Sequence, residues 1–157
     1  MAAMTTTAPV FDEAKALEAV AMMMQAPQIA ALGFQFLGVE PSVGRMKAPY
    51  RDDLVGDPAT GVIAGGVVTT LLDHTCALAI KAAAPGSGPS ATLDLRIDYM
   101  RPARPYRDII ARAHCYHLAH TVAFLRATAY EDDPADPVAT AQGVFVFSGP
   151  PATGGGA

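Results

Sequence analysis

The stretch between residues 61 and 84 constrains the fold of this chain more than any other part of the sequence. After Gly65 it is apolar at nearly every position, and Pro85 follows it, so it predicts one long helix. A helix that is apolar on every side has no face for water and must be buried. Asp73 and His74 interrupt the apolar run at its middle. This argues against a membrane span, because a charged group at the bilayer centre costs a few kcal/mol.

Asp73 is the first candidate for chemistry, because an Asp is almost never buried without a partner or a purpose. The adjacent His74 points about 100° away around the helix, so the two side chains are not predicted to form a catalytic dyad. No Gly-x-Ser-x-Gly motif occurs, which leaves a Ser-His-Asp hydrolase unsupported. The histidines near residue 117 lack a completing carboxylate, so neither a metal nor a cofactor is predicted.

The composition favours one domain at residues 10–148, with disordered ends at residues 1–9 and 149–157. Hydrophobic residues make up 51% of the 157 residues and charged residues 17%, which excludes a disordered chain. The net charge of −4 argues against nucleic acid or an anionic membrane as a partner. Two cysteines without metal-ligand spacing, and a start without the features of a secretory signal, favour a cytoplasmic protein.

Periodicity elsewhere predicts an α+β fold. Helical spacing before residue 27 predicts an amphipathic helix with the apolar positions Phe11, Ala14, Leu17, Ala21 and Met24. Short apolar or alternating runs predict strands at residues 33–40, 43–50, 93–99, 108–117, 121–131 and 138–147, with a polar loop at 51–60. An antiparallel sheet with one apolar face can wrap the apolar helix, which is the hot-dog architecture.

Two motifs then carry a family resemblance. Ala-Gly-Gly-Val-Val-Thr-Thr-Leu-Leu-Asp at residues 64–73 resembles the helix signature of the phenylacetate-type hot-dog thioesterases. Leu-Asp-Leu-Arg-Ile-Asp-Tyr-Met-Arg-Pro at residues 93–102 is similar to a strand of the same family. The similarity covers roughly residues 33–147, and both motifs occur in the family's order at compatible spacing.

The resemblance implies roles for particular residues. Asp73 would act as general base or nucleophile on a thioester, and the amide of Gly65 would bind the carbonyl oxygen at the helix N-terminus. Thr92 falls where the family often has a hydroxyl that orients the attacking water. Strand alternation places Thr92 on the polar face with Asp94 and Arg96, so an ordinary strand threonine stays an alternative.

Other positions are candidates for contacts with the substrate. Ala64 stands where the family has His, Asp57 is the nearest match to a family Asn, and the turn with His120 replaces one that bears Gly and Lys in some relatives. An arginine-rich stretch that includes Arg101 and Arg104 is either a solvated strand and loop or a landing place for phosphates. The remaining candidates are Gly66 beside Gly65 and an acyl pocket lined by Leu71, Leu72 and Tyr99.

The spacing of Gly65 and Asp73 predicts an obligate dimer. Eight residues of helix rise by about 12 Å, so one chain cannot place both groups on one thioester. Two such helices that run antiparallel across a two-fold axis can, because each Gly65 then faces the other chain's Asp73. The family usually pairs this way, often as dimers of dimers.

The predicted function is hydrolysis of an acyl-CoA that carries an aryl or a short- to medium-chain acyl group. A catalytically idle acyl-CoA or acyl-group binder of the same fold is an alternative, because Ala64 replaces the family His. A hot-dog hydratase or dehydratase is the less favoured alternative, since it would need a His near the helix entrance. The sequence leaves open the acyl group and the choice between CoA and a carrier protein.

Overall fold

The computed structural model of the protein describes residues 11–149. The predicted disordered ends, residues 1–9 and 149–157, lie outside the described residues apart from Gly149. The elements follow in the order α1 (Glu13–Met23), α2 (Pro27–Leu32), β1 (Gln35–Glu40), β2 (Val43–Ala48), β3 (Val55–Asp57), β4 (Val62–Ile63), α3 (Gly65–Ala83), β5 (Ser90–Tyr99), β6 (Ile109–Ala119), β7 (Val122–Tyr130) and β8 (Ala139–Phe147), with a short 3₁₀ turn at Asp52–Leu54 before β3.

Six strands form one antiparallel sheet in the order β1-β2-β6-β7-β8-β5, and β3 pairs with β4 in a separate short ribbon. Helix α3 lies against the inner face of the sheet, mainly over β2, β6 and β7. The predicted hot-dog architecture is therefore confirmed. None of the helices in the described part of the chain is long and apolar enough to cross a membrane.

The inner face of the sheet is lined with small residues, which lets the helix approach closely. Ala111 and Ala113 on β6 are fully buried, while Arg112 between them is exposed. On β2, a Cβ at Gly44 would lie 2.6 Å from Cγ of Leu78 on α3, a distance that no side chain tolerates. Alanine and glycine on the strands therefore make room for the leucines of α3.

Burial of α3 changes along its length, which corrects the expectation that the helix is covered on every side. Its C-terminal half is enclosed, with Leu78, Ala79 and Ile80 fully buried. At its N-terminal end Gly65 and Gly66 are exposed. The reason is that α3 lies over one half of the sheet and leaves the part near β5 open.

The predicted N-terminal helix corresponds to α1, and a second helix, α2, follows it and was not predicted. Helix α1 ends at Met23, and Pro27 begins α2 in the first-turn position that suits proline. The predicted apolar face was wrong, because Ala16 and Val20 are the buried positions of α1 and Leu17 is exposed. Contact with α3 decides which face of α1 is buried, and spacing alone does not reveal that contact.

Candidate active site

Asp73 on α3 and Thr92 on β5 meet in a short hydrogen bond. The Thr92 hydroxyl Oγ1 donates to Asp73 Oδ1 at 2.7 Å. Asp73 is half-buried rather than enclosed, so its carboxylate can reach both Thr92 and a molecule from solvent. The two residues therefore form a carboxylate–hydroxyl pair at the surface of α3.

A β-bulge explains how Thr92 reaches the helix. Thr92 pairs with Phe145 and Asp94 with Val144, so Leu93 is an extra residue in β5 without a partner on β8. A bulge reverses the alternation of side chains beyond it. Thr92 therefore shares the inner face with Phe145, and its predicted place on the polar face beside Asp94 was wrong.

Two backbone amides at the N-terminus of α3 have no hydrogen-bond acceptor among the described residues. The amides of Val67 and Val68 both donate to the Ala64 carbonyl, whereas within residues 11–149 those of Gly65 and Gly66 have no hydrogen-bond partner. Ala64 is the N-cap and offers no side-chain acceptor. The free amides and the partial positive charge of the helix end suit a developing oxyanion.

Tyr99 fixes this helix end to β5. Its hydroxyl lies 2.6 Å from the Gly65 carbonyl oxygen, to which it donates, and 3.0 Å from the Thr69 hydroxyl. A Cβ at Gly65 would lie 3.4 Å from that Tyr99 hydroxyl, whereas at Gly66 it would meet nothing within 4 Å. The amide edge of the helix is thus held in place from one side and open on the other.

A pocket of about 430 Å³ opens beside the Asp73–Thr92 pair. Its walls come from α1, α3, the segment that leads into β5, and β8. The residues that line it are Ala19, Met22, Met23, Asp73, His74, Ala77, Lys81, Ser87, Gly88, Pro89, Ser90, Thr92 and Phe145. Its volume is within the range of small-molecule sites.

His74 lies on the wall of this pocket but does not bond to Asp73. Its Nε2 is 3.1 Å from the side-chain oxygen of Gln28, and its ring contacts Phe34 edge-on. Burial lowers the pKa of His74, and the nearby Asp73 carboxylate opposes that shift only in part. The imidazole is therefore a neutral wall of the pocket at neutral pH.

The pocket beside Asp73 is not lined by the residues that the sequence predicted for an acyl pocket. Leu71 and Leu72 are fully buried in the core, on the side of α3 that faces away from the pocket, so the predicted contact of Leu72 with substrate is not supported. Tyr99 does not line this pocket, and its hydroxyl donates to the Gly65 carbonyl at the start of α3. The sequence identifies Leu71 and Leu72 as apolar residues of a helix, but helix spacing does not predict which side of α3 the sheet covers.

The two candidate arginines lie in an ion-pair network at the opposite end of β5. Arg101 donates all five of its N–H groups. Two go to the Glu131 carboxylate oxygens, two to the side chain and the backbone carbonyl of Asp136, and one to the Pro102 carbonyl. Arg104 pairs with Asp132 and Asp136 at 3.3 Å each. The structure therefore does not support the predicted phosphate contact of Arg101, and that of Arg104 stays a prediction.

The remaining candidates lie in turns. Asp57 is exposed, and its carboxylate and carbonyl accept hydrogen bonds from Ala59 and Thr60 in the turn between β3 and β4. His120 is exposed in the tight β6–β7 turn with a φ of 52°. The roles of Asp57, His120 and Gly66 in substrate binding stay predictions.

Sequence reasoning missed the polar end of the pocket. Lys81 follows Asp73 and Ala77 at intervals of four, so all three lie along one ridge of α3. That spacing was visible in the sequence. The contribution of Ser87 was not, because it depends on how the chain turns back from α3 into β5.

A sheet wrapped around one helix, with an acid–hydroxyl pair and a pocket beside that helix, defines a hot-dog protein with a site suited to acyl transfer. Residues 60–138 match the sequence model of the Thioesterase superfamily. A crystal structure of a Pseudomonas aeruginosa protein is 34% identical, with a TM-score of 0.74, over 85% of this chain and 97% of that chain. A mutant of the phenylacetic acid degradation protein PaaI from Thermus thermophilus is 30% identical, with a TM-score of 0.65, over 78% of this chain and 98% of that chain.

The chain belongs to the Thioesterase superfamily, and its resemblance to the phenylacetate-type members is confirmed. Human acyl-coenzyme A thioesterase 13 is 35% identical over 66 residues, which is 42% of this chain and 46% of that protein. The aligned part spans 46% to 62% of the length of the curated relatives that the chain matches.

Proposed function

We propose that this protein hydrolyses acyl-CoA thioesters, with Asp73 as general base. The observation that carries the proposal is the 2.7 Å hydrogen bond between Thr92 and Asp73 at the mouth of a pocket. Support comes from the superfamily and from relatives named as acyl-CoA thioesterases. Short- to medium-chain or aryl acyl groups fit a pocket of about 430 Å³.

In the proposed reaction a water attacks the thioester carbonyl carbon while the Asp73 carboxylate accepts its proton. The Thr92 hydroxyl donates to Asp73, and its lone pairs can accept from the water, which aligns the water with the carbonyl. The carbonyl electrons move onto oxygen, where helix amides stabilise the charge. Collapse of the intermediate breaks the carbon–sulfur bond, and the proton held by Asp73 passes to the leaving thiolate.

The oxyanion donor is proposed to be the partner's Gly65 in a homodimer. Residues 65 and 73 of one helix are separated by about 12 Å, too far to share one thioester. Two features support the pairing. Strand β5 is at the edge of the sheet, where Leu93 and, just after the strand, Met100 are exposed. The Gly65–Gly66 end of α3 is exposed as well. Pairs of such dimers are a further possibility for the assembly.

Hydrolysis is tested by following thiol release from a panel of acyl-CoAs with wild type and Asp73→Asn. We expect release by wild type and its near-complete loss in the variant. Release that continues undiminished in Asp73→Asn would remove Asp73 from the mechanism. The protein's own thiols interfere little, because Cys76 and Cys115 are buried and burial raises the pKa of Cys115 to about 11.

Sharing of the site is tested by complementation between two inactive variants. Gly65→Pro removes only the proposed donor, because proline suits the first helical position and Ala64 already has the extended backbone that precedes proline. Co-expressed Gly65→Pro and Asp73→Asn chains would form mixed dimers with one complete site each. We expect roughly a quarter of wild-type activity, since half of the dimers are mixed. Gly65→Ala, which keeps the amide, is the matched control.

A non-catalytic acyl-CoA binder is the second candidate, and one observation favours it. The N-cap Ala64 has no side-chain donor or acceptor at the place where the family carries His. If that His is required, the pocket would bind acyl-CoA without hydrolysis. Calorimetric binding in the absence of thiol release across the panel would establish this function.

A further inference from the structure

The pocket beside Asp73 has two chemically different ends. The Asp73–Thr92 pair is at one end, and Lys81, Ser87 and Gly88 are at the other. Ala77 lies between Asp73 and Lys81 on α3, and Phe145 and the methionines of α1 supply further apolar lining. A ligand that fills the pocket therefore meets polar groups, then an apolar wall, then polar groups again.

Lys81 is a cation that has no acidic partner among the described residues. Its Nζ donates to the Ser87 carbonyl at 2.9 Å and to the Gly88 carbonyl, so one of its three N–H groups is left over. Burial lowers the pKa of Lys81, and no carboxylate opposes that effect. A half-buried ammonium without a counter-ion favours a negatively charged ligand.

Ser87 provides an independent observation at the same end. The residue is 8% exposed, and within the described part of the chain its Oγ is buried without a hydrogen-bond partner. A buried hydroxyl without a partner is unfavourable, because its lost hydrogen bonds to water are not replaced. Ser87 lines the pocket together with Lys81, so a ligand oxygen bound at this end is the candidate partner for the hydroxyl.

The length of the pocket sets the length of the ligand. Asp73 and Lys81 are eight residues apart on α3, which corresponds to about 12 Å. Contacts of about 3 Å at each end leave roughly 6 Å between the thioester carbon and a distal carboxyl carbon. Because an extended chain advances by about 1.25 Å for each carbon–carbon bond of about 1.5 Å, this distance corresponds to four or five bonds, that is, to about five to six carbons.

We propose that the acyl group of the substrate ends in a carboxylate, which Lys81 and Ser87 bind at the far end of the pocket. The substrate class is then the mono-CoA thioester of a dicarboxylic acid of about five to six carbons. This inference rests on the proposed function for the position of the thioester. Lys81 and Ser87 contact only the distal end of the substrate, so they determine specificity and take no part in bond cleavage.

Specificity is tested with pairs of substrates of equal length, glutaryl-CoA against pentanoyl-CoA and adipyl-CoA against hexanoyl-CoA. The readout is the ratio of kcat/KM within each pair, which a uniform loss of folded protein does not change. We expect wild type to prefer the carboxylate-bearing member at least about tenfold, as a charge-assisted hydrogen bond is worth about 1.5–3 kcal/mol. Lys81→Gln, which keeps a donor for the backbone carbonyls but removes the charge, should abolish the preference.

Controls separate a role in specificity from a structural one. Lys81→Arg should retain most of the preference, and Ser87→Ala should reduce it about threefold. Lys47→Met is the matched control, because Lys47 is a lysine on β2 that pairs with Asp108 and does not line this pocket. A wild-type ratio near or below one, or a ratio that Lys81→Gln leaves unchanged, would overturn the proposal.

A binding measurement keeps the inference separate from the proposed catalysis. Calorimetry with adipyl-CoA and hexanoyl-CoA is carried out on Asp73→Asn, which cannot turn them over if Asp73 is the base. Tighter binding of adipyl-CoA that disappears in the Asp73→Asn/Lys81→Gln double variant would support the site even if no thioester is hydrolysed. Equal binding of the two thioesters would overturn it even if wild type proves to be an active thioesterase.

Discussion

Two carboxylates in this protein have opposite surroundings. The Glu131 side chain is 1% exposed, and it receives two hydrogen bonds from Arg101 and one from the Arg104 amide. Asp73 is half-buried, and its hydrogen bond comes from one neutral hydroxyl, that of Thr92. The hydrogen bonds from Arg101 and Arg104 offset the cost of burying the Glu131 charge. The Asp73 carboxylate accepts one hydrogen bond within the described chain, so its other lone pairs can accept from a water or a substrate. The comparison separates a carboxylate that holds the fold from one that is available for chemistry.

The largest expected effect is the loss of hydrolysis in Asp73→Asn. Removing a general base costs about 10²- to 10⁴-fold, so we expect kcat to fall by about 10³-fold. Stability should change by less than about 1 kcal/mol, because this carboxylate is only half-buried and has one neutral partner in the chain. Steady-state kinetics and urea unfolding of the same preparation measure both quantities. A large loss of stability would place Asp73 in the same class as Glu131.

Glu131→Gln should show the reverse pattern. Breaking a buried ion pair by removing one partner typically costs about 3–5 kcal/mol, and because the Arg101 side chain keeps 24% exposure we expect about 2–4 kcal/mol. The specific activity of the folded fraction should stay within about twofold of wild type. Urea unfolding gives the first number, and kinetics corrected for folded protein give the second. Asp132→Asn is a suitable control, since Asp132 is exposed and pairs with Arg104 in the same network.

Asp73 and Gly65 could be singled out as candidates because both are local features of one helix, and the family resemblance supplied their predicted roles. A charge in an apolar run and glycines at its start are visible without any knowledge of the sheet. The different surroundings of Asp73 and Glu131 could not be predicted from the sequence, because the partners of Glu131 lie about thirty residues away in the β5–β6 connection. An arginine-rich stretch in the sequence does not reveal that Arg101 donates all its N–H groups to acceptors within the protein.

The side on which Thr92 lies could not be derived from alternation either. Leu93 disrupts the pairing of β5 with β8, and the alternation of a strand cannot reveal an extra residue. The same limit applies to Leu71 and Leu72, whose side of α3 depends on which strands the helix covers. The long helix and the six strands of the main sheet followed from periodicity, whereas α2 and the β3–β4 ribbon did not, and these side-chain orientations follow from tertiary packing.

Thr92 tests whether the hydroxyl contributes to catalysis beyond its bond to Asp73. Thr92→Val keeps the shape and removes the donor, and we expect kcat to fall about tenfold, the effect of one hydrogen bond of about 1.4 kcal/mol. Thr92→Ser keeps the hydroxyl and should stay within about threefold of wild type. Both variants are compared by steady-state kinetics on one acyl-CoA. Equal activity of the valine and serine variants would leave Asp73 without a functional partner in its own chain.

The smallest expected effect is a difference in the response to acid. Burial would raise the pKa of Glu131, but the hydrogen bonds from Arg101 and from the Arg104 amide outweigh it and lower the pKa below the ordinary value. The charged form is therefore favoured in the folded state. Its contribution to stability is present above the unfolded-state pKa of about 4.3 and is lost as pH falls through the lower folded-state pKa.

The free energies of unfolding of wild type and Glu131→Gln should therefore differ most near neutral pH and converge as the pH falls below about 4. Urea unfolding at a series of pH values measures this convergence. Other carboxylates also lose favourable contacts in acid, among them Asp108, whose pKa is lowered chiefly by the hydrogen bond from the Tyr50 amide. Because both proteins share those contacts, the difference between the two curves isolates Glu131. A constant difference across the pH range would mean that Glu131 holds the fold by its shape and neutral hydrogen bonds, and the contrast with Asp73 would then not be one of charge.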